Sequence, residues 1–112
     1  MVRIKRIYDP PAPEDGKRIL VDRLWPRGIA RDEARLHEWL KEIAPGNELR
    51  KQFCHDPERW EEFRASYRRE LEANAELLDR LRKLAREEMV TLLYAAKDEE
   101  HNNAVVLEEM LR

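Results

Sequence analysis

With 112 residues, the chain is large enough for one packed core and too short for two ordinary domains. Charged residues make up 41% of it, yet they cancel to a formal charge of -2, which excludes a dominant electrostatic pull toward nucleic acid or an anionic membrane and requires any anion site to be built locally. No apolar run approaches the roughly 20 residues that span a bilayer, the amino terminus lacks a signal-peptide apolar core, and the lone Cys54 supports neither an internal disulfide nor a cysteine-rich metal site, so a single cytoplasmic domain over residues 1-112 is expected.

Val2, Ile4, Ile7 and Tyr8 alternate imperfectly with Arg3, Lys5 and Arg6, as in a strand at a sheet margin. The stretch from Asp9 to Gly16, with three prolines and a glycine, ends it in an extended loop. Ile19 to Asp22 is the second strand; the loop before it is short for a parallel crossover, so the first two strands are either antiparallel neighbours or not adjacent. Pro26 and Gly28 turn the chain, and Ile29 to Ala34 reads as a short helical turn. Leu36, Trp39, Leu40 and Ile43 have helical spacing, but that segment is brief and stops at Ala44-Pro45-Gly46.

Asn47 is the cap expected for a helix through Leu49 and Phe53, and Asp56-Pro57 is a strong start signal for the next. That helix carries Trp60, Phe63, Tyr67 and Leu71 on one stripe; after Asn74, a joint or cap, a further helix carries Leu77, Leu78, Leu81, Leu84 and Ala85. Val90 to Ala95 is a buried strand, followed by a polar turn and a last helix using Ala104, Val105, Leu107 and Leu111, with Asp98 as its expected N-cap. The long helical excursion between the second strand and this one predicts parallel pairing, hence an α/β fold with a small, mostly parallel sheet of three or four strands and helices packed on it.

In such folds ligands collect at the carboxyl ends of strands, which here are Asp22 to Gly28 and Lys97 to Asn103. Asp22 falls on the face of Leu20 and Leu24; a carboxylate there either orients a ligand, with Arg23, Arg27 and Lys97 as partners, or anchors the turn. Trp25-Pro26-Arg27-Gly28 offers an aromatic face, a rigid turn and a guanidinium suited to carboxylate or phosphate, although the tryptophan alone would serve as a core cap. Lys97, Asp98 and Asn102 lie before a helix start that favours anions, and His101 is a candidate acid/base or a hydrogen-bonded strut. Glycine-rich phosphate loops and diagnostic metal spacings are both missing, so no cofactor and no metal are expected; a Cys54-His55 nucleophile pair is disfavoured because adjacent residues point apart.

Three segments together, Val21 to Gly28, then Trp39 to Pro45 with His55-Asp56-Pro57 and Trp60, then Leu93 to Asp98 with His101-Asn102, resemble the YeaO-like bacterial proteins, a short branch of the domain-of-unknown-function group 488. The resemblance spans nearly the whole chain and implies a compact cytoplasmic α/β domain without an established activity. Longer members of the wider group carry a cysteine and glutamate after the last strand and then a Cys-His-Arg cluster; Tyr94, Ala96, Asn102, Asn103 and Ala104 stand in those approximate places here, which argues against thiol chemistry. The resemblance also favours a strand over Glu38 to Ile43.

Two functions compete. One is a small-ligand site for a phosphate, nucleotide or carboxylate, with Arg23, Trp25, Arg27, Lys97, Asp98 and Asn102 binding and Asp22 and His101 as candidate catalytic residues; whether catalysis follows binding stays open. The other is a non-catalytic protein-interaction module built on Trp25, Trp39 and Trp60. Nucleic acid ranks below both as a partner, and the sequence carries no signal for an oligomeric state.

Overall fold

The computed structural model describes residues 1–54 and 56–112. Among these residues β1 (Val2–Arg6), β2 (Lys17–Leu20), β3 (Glu38–Trp39) and β4 (Val90–Tyr94) form one sheet in the order β1-β4-β2-β3, every pairing parallel. The α/β class, the marginal position of β1 and the parallel pairing of β2 with β4 all agree with the sequence.

Of the two alternatives for the first strands, non-adjacency holds: β4 lies between β1 and β2, and Val90 is level with both Val2 and Lys17. Residues 7–16 therefore return over β4 with no α-helix, only a 3-10 turn at Pro13–Asp15. Pro10 and Pro11 keep the start of this segment extended while Pro13 opens the 3-10 turn, and at about 3.1 Å per extended residue it has ample reach to run back along a strand of roughly 16 Å. Its end is pinned by Asp15, fully buried, whose carboxylate accepts from Arg18 Nη1 at 2.5 Å, Arg3 Nη2 at 2.7 Å, Lys5 Nζ at 3.1 Å and the Ala12 N–H at 3.0 Å, while Thr91 Oγ1 on β4 donates to the Asp15 carbonyl.

The other face of the sheet carries the main core. Val90, Leu92, Tyr94, Ile19 and Val21 pack under α3 (Trp60–Ala73), α4 (Ala75–Glu87) and α5 (Asn103–Leu111), which contribute Phe63, Tyr67, Leu71, Leu78, Leu81, Ala85, Ala104 and Leu107. Alternation sends Leu20 and Leu93 to the Asp15 side, where Ile7 and Ala34 join them beneath Trp25, Leu36 and Trp39. Ala34 ends α1 (Arg31–Ala34), the expected helical turn.

Several local readings change. Over Glu38 to Ile43 the strand stops at Trp39, because two residues complete the pairing with β2, and Lys41–Ile43 turn as a 3-10 helix. Asn47 is the first residue of α2 (Asn47–Phe53), not its cap; Gly46 holds the extended cap conformation and its carbonyl accepts from Arg50 N–H. Asp56 does cap, accepting from Glu58 N–H at 3.0 Å, but what it opens is a 3-10 turn leading into α3. Asp98 does not cap α5. That helix begins four residues later than a cap at Asp98 would place it, behind Asn102, and the shift buries Val106 where Val105 was expected. Asn74 is both joint and cap, ending α3 and preceding α4, although its side chain bonds neither helix and its amide donates to the Glu42 carbonyl. Among the described residues no helix is long and apolar enough to cross a membrane.

Candidate functional site

Parallel strands of unequal length leave a step at their carboxyl ends, and here it is a cavity of about 360 Å³. Its floor is Asp22 after β2 and Ala95 and Ala96 after β4, small residues that leave room where β4 gives out. The Ala95 N–H donates to Asp22 Oδ2 at 2.9 Å and the Asp22 carbonyl accepts from Trp39 Nε1 at 2.8 Å, so Asp22 ties the ends of three strands together.

One wall is the turn from Arg23 to Arg27. Arg23 is clipped to the opposite side, its Nε and Nη2 donating to the carbonyls of Pro45 and Ala44, each at 3.2 Å. Trp25 donates Nε1 to the Ile29 carbonyl at 2.7 Å, meets Trp39 edge-on with centroids 5.3 Å apart, and carries the Arg31 guanidinium 4.5 Å above its ring. Tyr8 reaches across to donate its hydroxyl to the Arg27 carbonyl. The Arg27 guanidinium itself is exposed at the rim and has no hydrogen-bond or ion-pair partner among the described residues.

The second wall comes from α2 and α3: Arg50, Phe53 and Phe63, the two phenyl rings stacked at 4.4 Å. Among the described residues Arg50 Nη2 has one long contact, 3.5 Å to Asn47 Oδ1, and its buried Nε has no partner. These groups were not singled out from the sequence, because α2 reads as a mostly polar helix; the available signal was the three-residue spacing of Arg50 and Phe53, which puts them on neighbouring positions of one helix face.

Asn102 and Asn103 close the third side. Asn102 is fully buried and committed to structure: Oδ1 accepts from Val105 N–H at 3.1 Å and Nδ2 donates to the Asp98 carbonyl at 2.9 Å. Asn103 Nδ2 donates to the Val21 carbonyl, fastening α5 to β2. Replacing Asn102 with alanine should therefore cost about 1–2 kcal/mol of stability in urea unfolding through loss of the cap; an unchanged midpoint would contradict that role.

Of the candidates read from sequence, Asp22, Arg23, Trp25, Arg27 and Asn102 line this cavity. Lys97, Asp98 and His101 do not. Lys97 is exposed, and Asp98 organises its own turn, Oδ1 accepting from the N–H groups of Glu100 and His101. His101 precedes α5; its Nδ1 lies 2.9 Å from Asp98 Oδ2 and its ring meets Trp60 edge-on at 5.2 Å. The Glu100 N–H first, and then the His101 side chain, hold the Asp98 carboxyl below its ordinary range. Burial and Glu99 raise the Tyr94 hydroxyl above its own. Among the described residues no three His, Cys, Asp or Glu side chains are arranged to hold a metal ion, and His55 lies outside those residues.

A family model described as the inactive DUF488-N3 subclade matches residues 1–112. The chain is 46% identical over 111 residues to the uncharacterized protein YeaO of Escherichia coli strain K12, an alignment covering 99% of this chain and 96% of that protein. It is 43% identical over 110 residues to the uncharacterized proteins Rv3073c of Mycobacterium tuberculosis strain H37Rv and Mb3100c of Mycobacterium bovis, covering 98% of this chain and 92% of each relative. No solved structure matches the chain.

Proposed function

The chain belongs to the inactive DUF488-N3 subclade, and from that premise we propose that it is a cytoplasmic binding domain whose cleft at the strand ends holds a small anionic ligand without turning it over. The observation that carries the reading is the cavity of about 360 Å³ flanked by Arg23, Arg27 and Arg50, a volume within the usual range for small-molecule sites. The description of the subclade as inactive, and the Tyr94, Ala96, Asn102, Asn103 and Ala104 side chains where longer relatives suggest reactive groups, favour binding over chemistry. Asp22 and Asn102 then act by shaping the site, and Arg27 supplies charge at the rim.

The interaction-module alternative has less support. Trp25, Trp39 and Trp60 are each half-buried, and the indole N–H groups of Trp25 and Trp39 are satisfied within the chain.

Thermal-shift titration with inorganic phosphate, adenosine monophosphate and benzoate tests the proposal. At least one of these anions is expected to raise the wild-type Tm by several degrees at saturation. Arg27→Ala should lose most of that shift and Lys97→Ala should keep it. If none of the three stabilises the wild type, or Arg27→Ala responds as strongly, the anion-binding reading is wrong.

A further inference from the structure

Resting on the binding reading, we infer that the cleft is selective for a planar aromatic monocarboxylate over phosphate, with the ring against Phe53 and Phe63 and the carboxylate held by Arg27 and Arg50. Phosphate sites in α/β folds draw on backbone N–H groups at the strand ends and at the following helix N-terminus. In this cleft two such donors are taken by the chain's own side chains: the Ala95 N–H by Asp22, and the Val105 N–H in the first turn of α5 by Asn102. Among the described residues that line the cleft, the positive charge is carried by guanidinium groups.

Those groups are not equivalent. The Nε–Nη2 edge is the one that pairs side-on with a carboxylate. In Arg23 both atoms of that edge already donate to carbonyls. In Arg50 the same edge has, among the described residues, no partner at Nε and only the long Asn47 contact at Nη2. Nε is shielded from solvent while the side chain as a whole is only half-buried, so presenting the fork takes a turn about the outer torsions of Arg50. The rest of the lining is largely apolar, including Leu24, Pro26, Pro45 and the stacked phenylalanines, so a small hydrophilic anion would leave it unfilled.

Isothermal titration of the full chain with benzoate, indole-3-carboxylate, benzamide, acetate and inorganic phosphate tests this. At least one aromatic acid is expected to bind about tenfold or more tighter than acetate and phosphate, and benzamide, which keeps the ring and lacks the charge, should bind about tenfold weaker than benzoate. Arg50→Met should lose about tenfold in affinity for the aromatic acid while its ligand-free Tm stays at or above wild type, since the unpaired buried donor is gone. Arg50→Lys, which keeps charge without the fork, should also lose affinity. If phosphate or acetate binds as tightly as the aromatic acids, the inference fails while the anion-binding reading survives; if no anion binds, both fall. Wild-type affinity in both Arg50 variants would remove Arg50 from the site and overturn the inference.

Discussion

Asp15→Asn is expected to lower the free energy of unfolding at pH 7 by about 3–5 kcal/mol, because it removes the one carboxylate that satisfies Arg18, Lys5 and Arg3 above the sheet and leaves Arg18 buried without its ion-pair partner. Burial pushes the Asp15 carboxyl up, but hydrogen bonds from the Ala12 N–H, Lys5, Arg18 and Arg3 outweigh it and hold the group well below the usual carboxylate range. A carboxylate depressed on folding contributes its full stability above the unfolded value of about 4 and loses it as the pH falls from there toward the folded value. The wild type should therefore weaken steeply below about pH 4, and the Asp15→Asn curve should be flatter over that interval. Urea unfolding at several pH values reads both effects. A variant within about 1 kcal/mol of wild type at pH 7 would show that the cluster contributes little net stability.

The second large effect is expected one residue later. Gly16 has φ 62° and lies against the Met89 backbone, where an added Cβ would run into the Met89 carbonyl oxygen, the same oxygen that accepts from Lys17 N–H. Gly28 also has positive φ, 78°, but an added Cβ there meets open space. Comparing the two substitutions separates backbone conformation from collision. Gly28→Ala should cost about 1 kcal/mol and Gly16→Ala more than about 3 kcal/mol. Equal losses in chemical denaturation would mean that the approach of this turn to Met89 does not limit side-chain size.

How much of this was legible in the chain differs by element. The pairing of β2 with β4 followed from a long helical excursion between two apolar runs, and the stripe from Phe63 to Leu71 follows the helical period because its burial is set by one continuous face. Asp15 was hidden: next to three prolines and a glycine it reads as a solvated loop residue, and its partners come from β1 and β2, which no local pattern connects. The cap of α5 was misread for a related reason. Asp98 and Asn102 both suit a cap, and the choice depends on a turn in which Asp98 folds back on Glu100 and His101 before the helix can start. At the candidate site, Asp22 to Arg27 stood out as charge after an apolar strand, whereas Arg50 reaches the cavity only through the placement of α2 across the sheet ends.

The order β1-β4-β2-β3 also bears on how the sheet meets other chains. Its two open margins are β1 and β3. A free strand edge is a template for intermolecular pairing unless it is short or charged. β3 pairs over two residues only, and β1 is basic at Arg3, Lys5 and Arg6. A second strand would find too little backbone on one side and clustered positive charge on the other. The Asp15 cluster thus has a further consequence: it draws Arg3 and Lys5 inward over β4, and inward-pointing charge on an edge strand disfavours the addition of another strand.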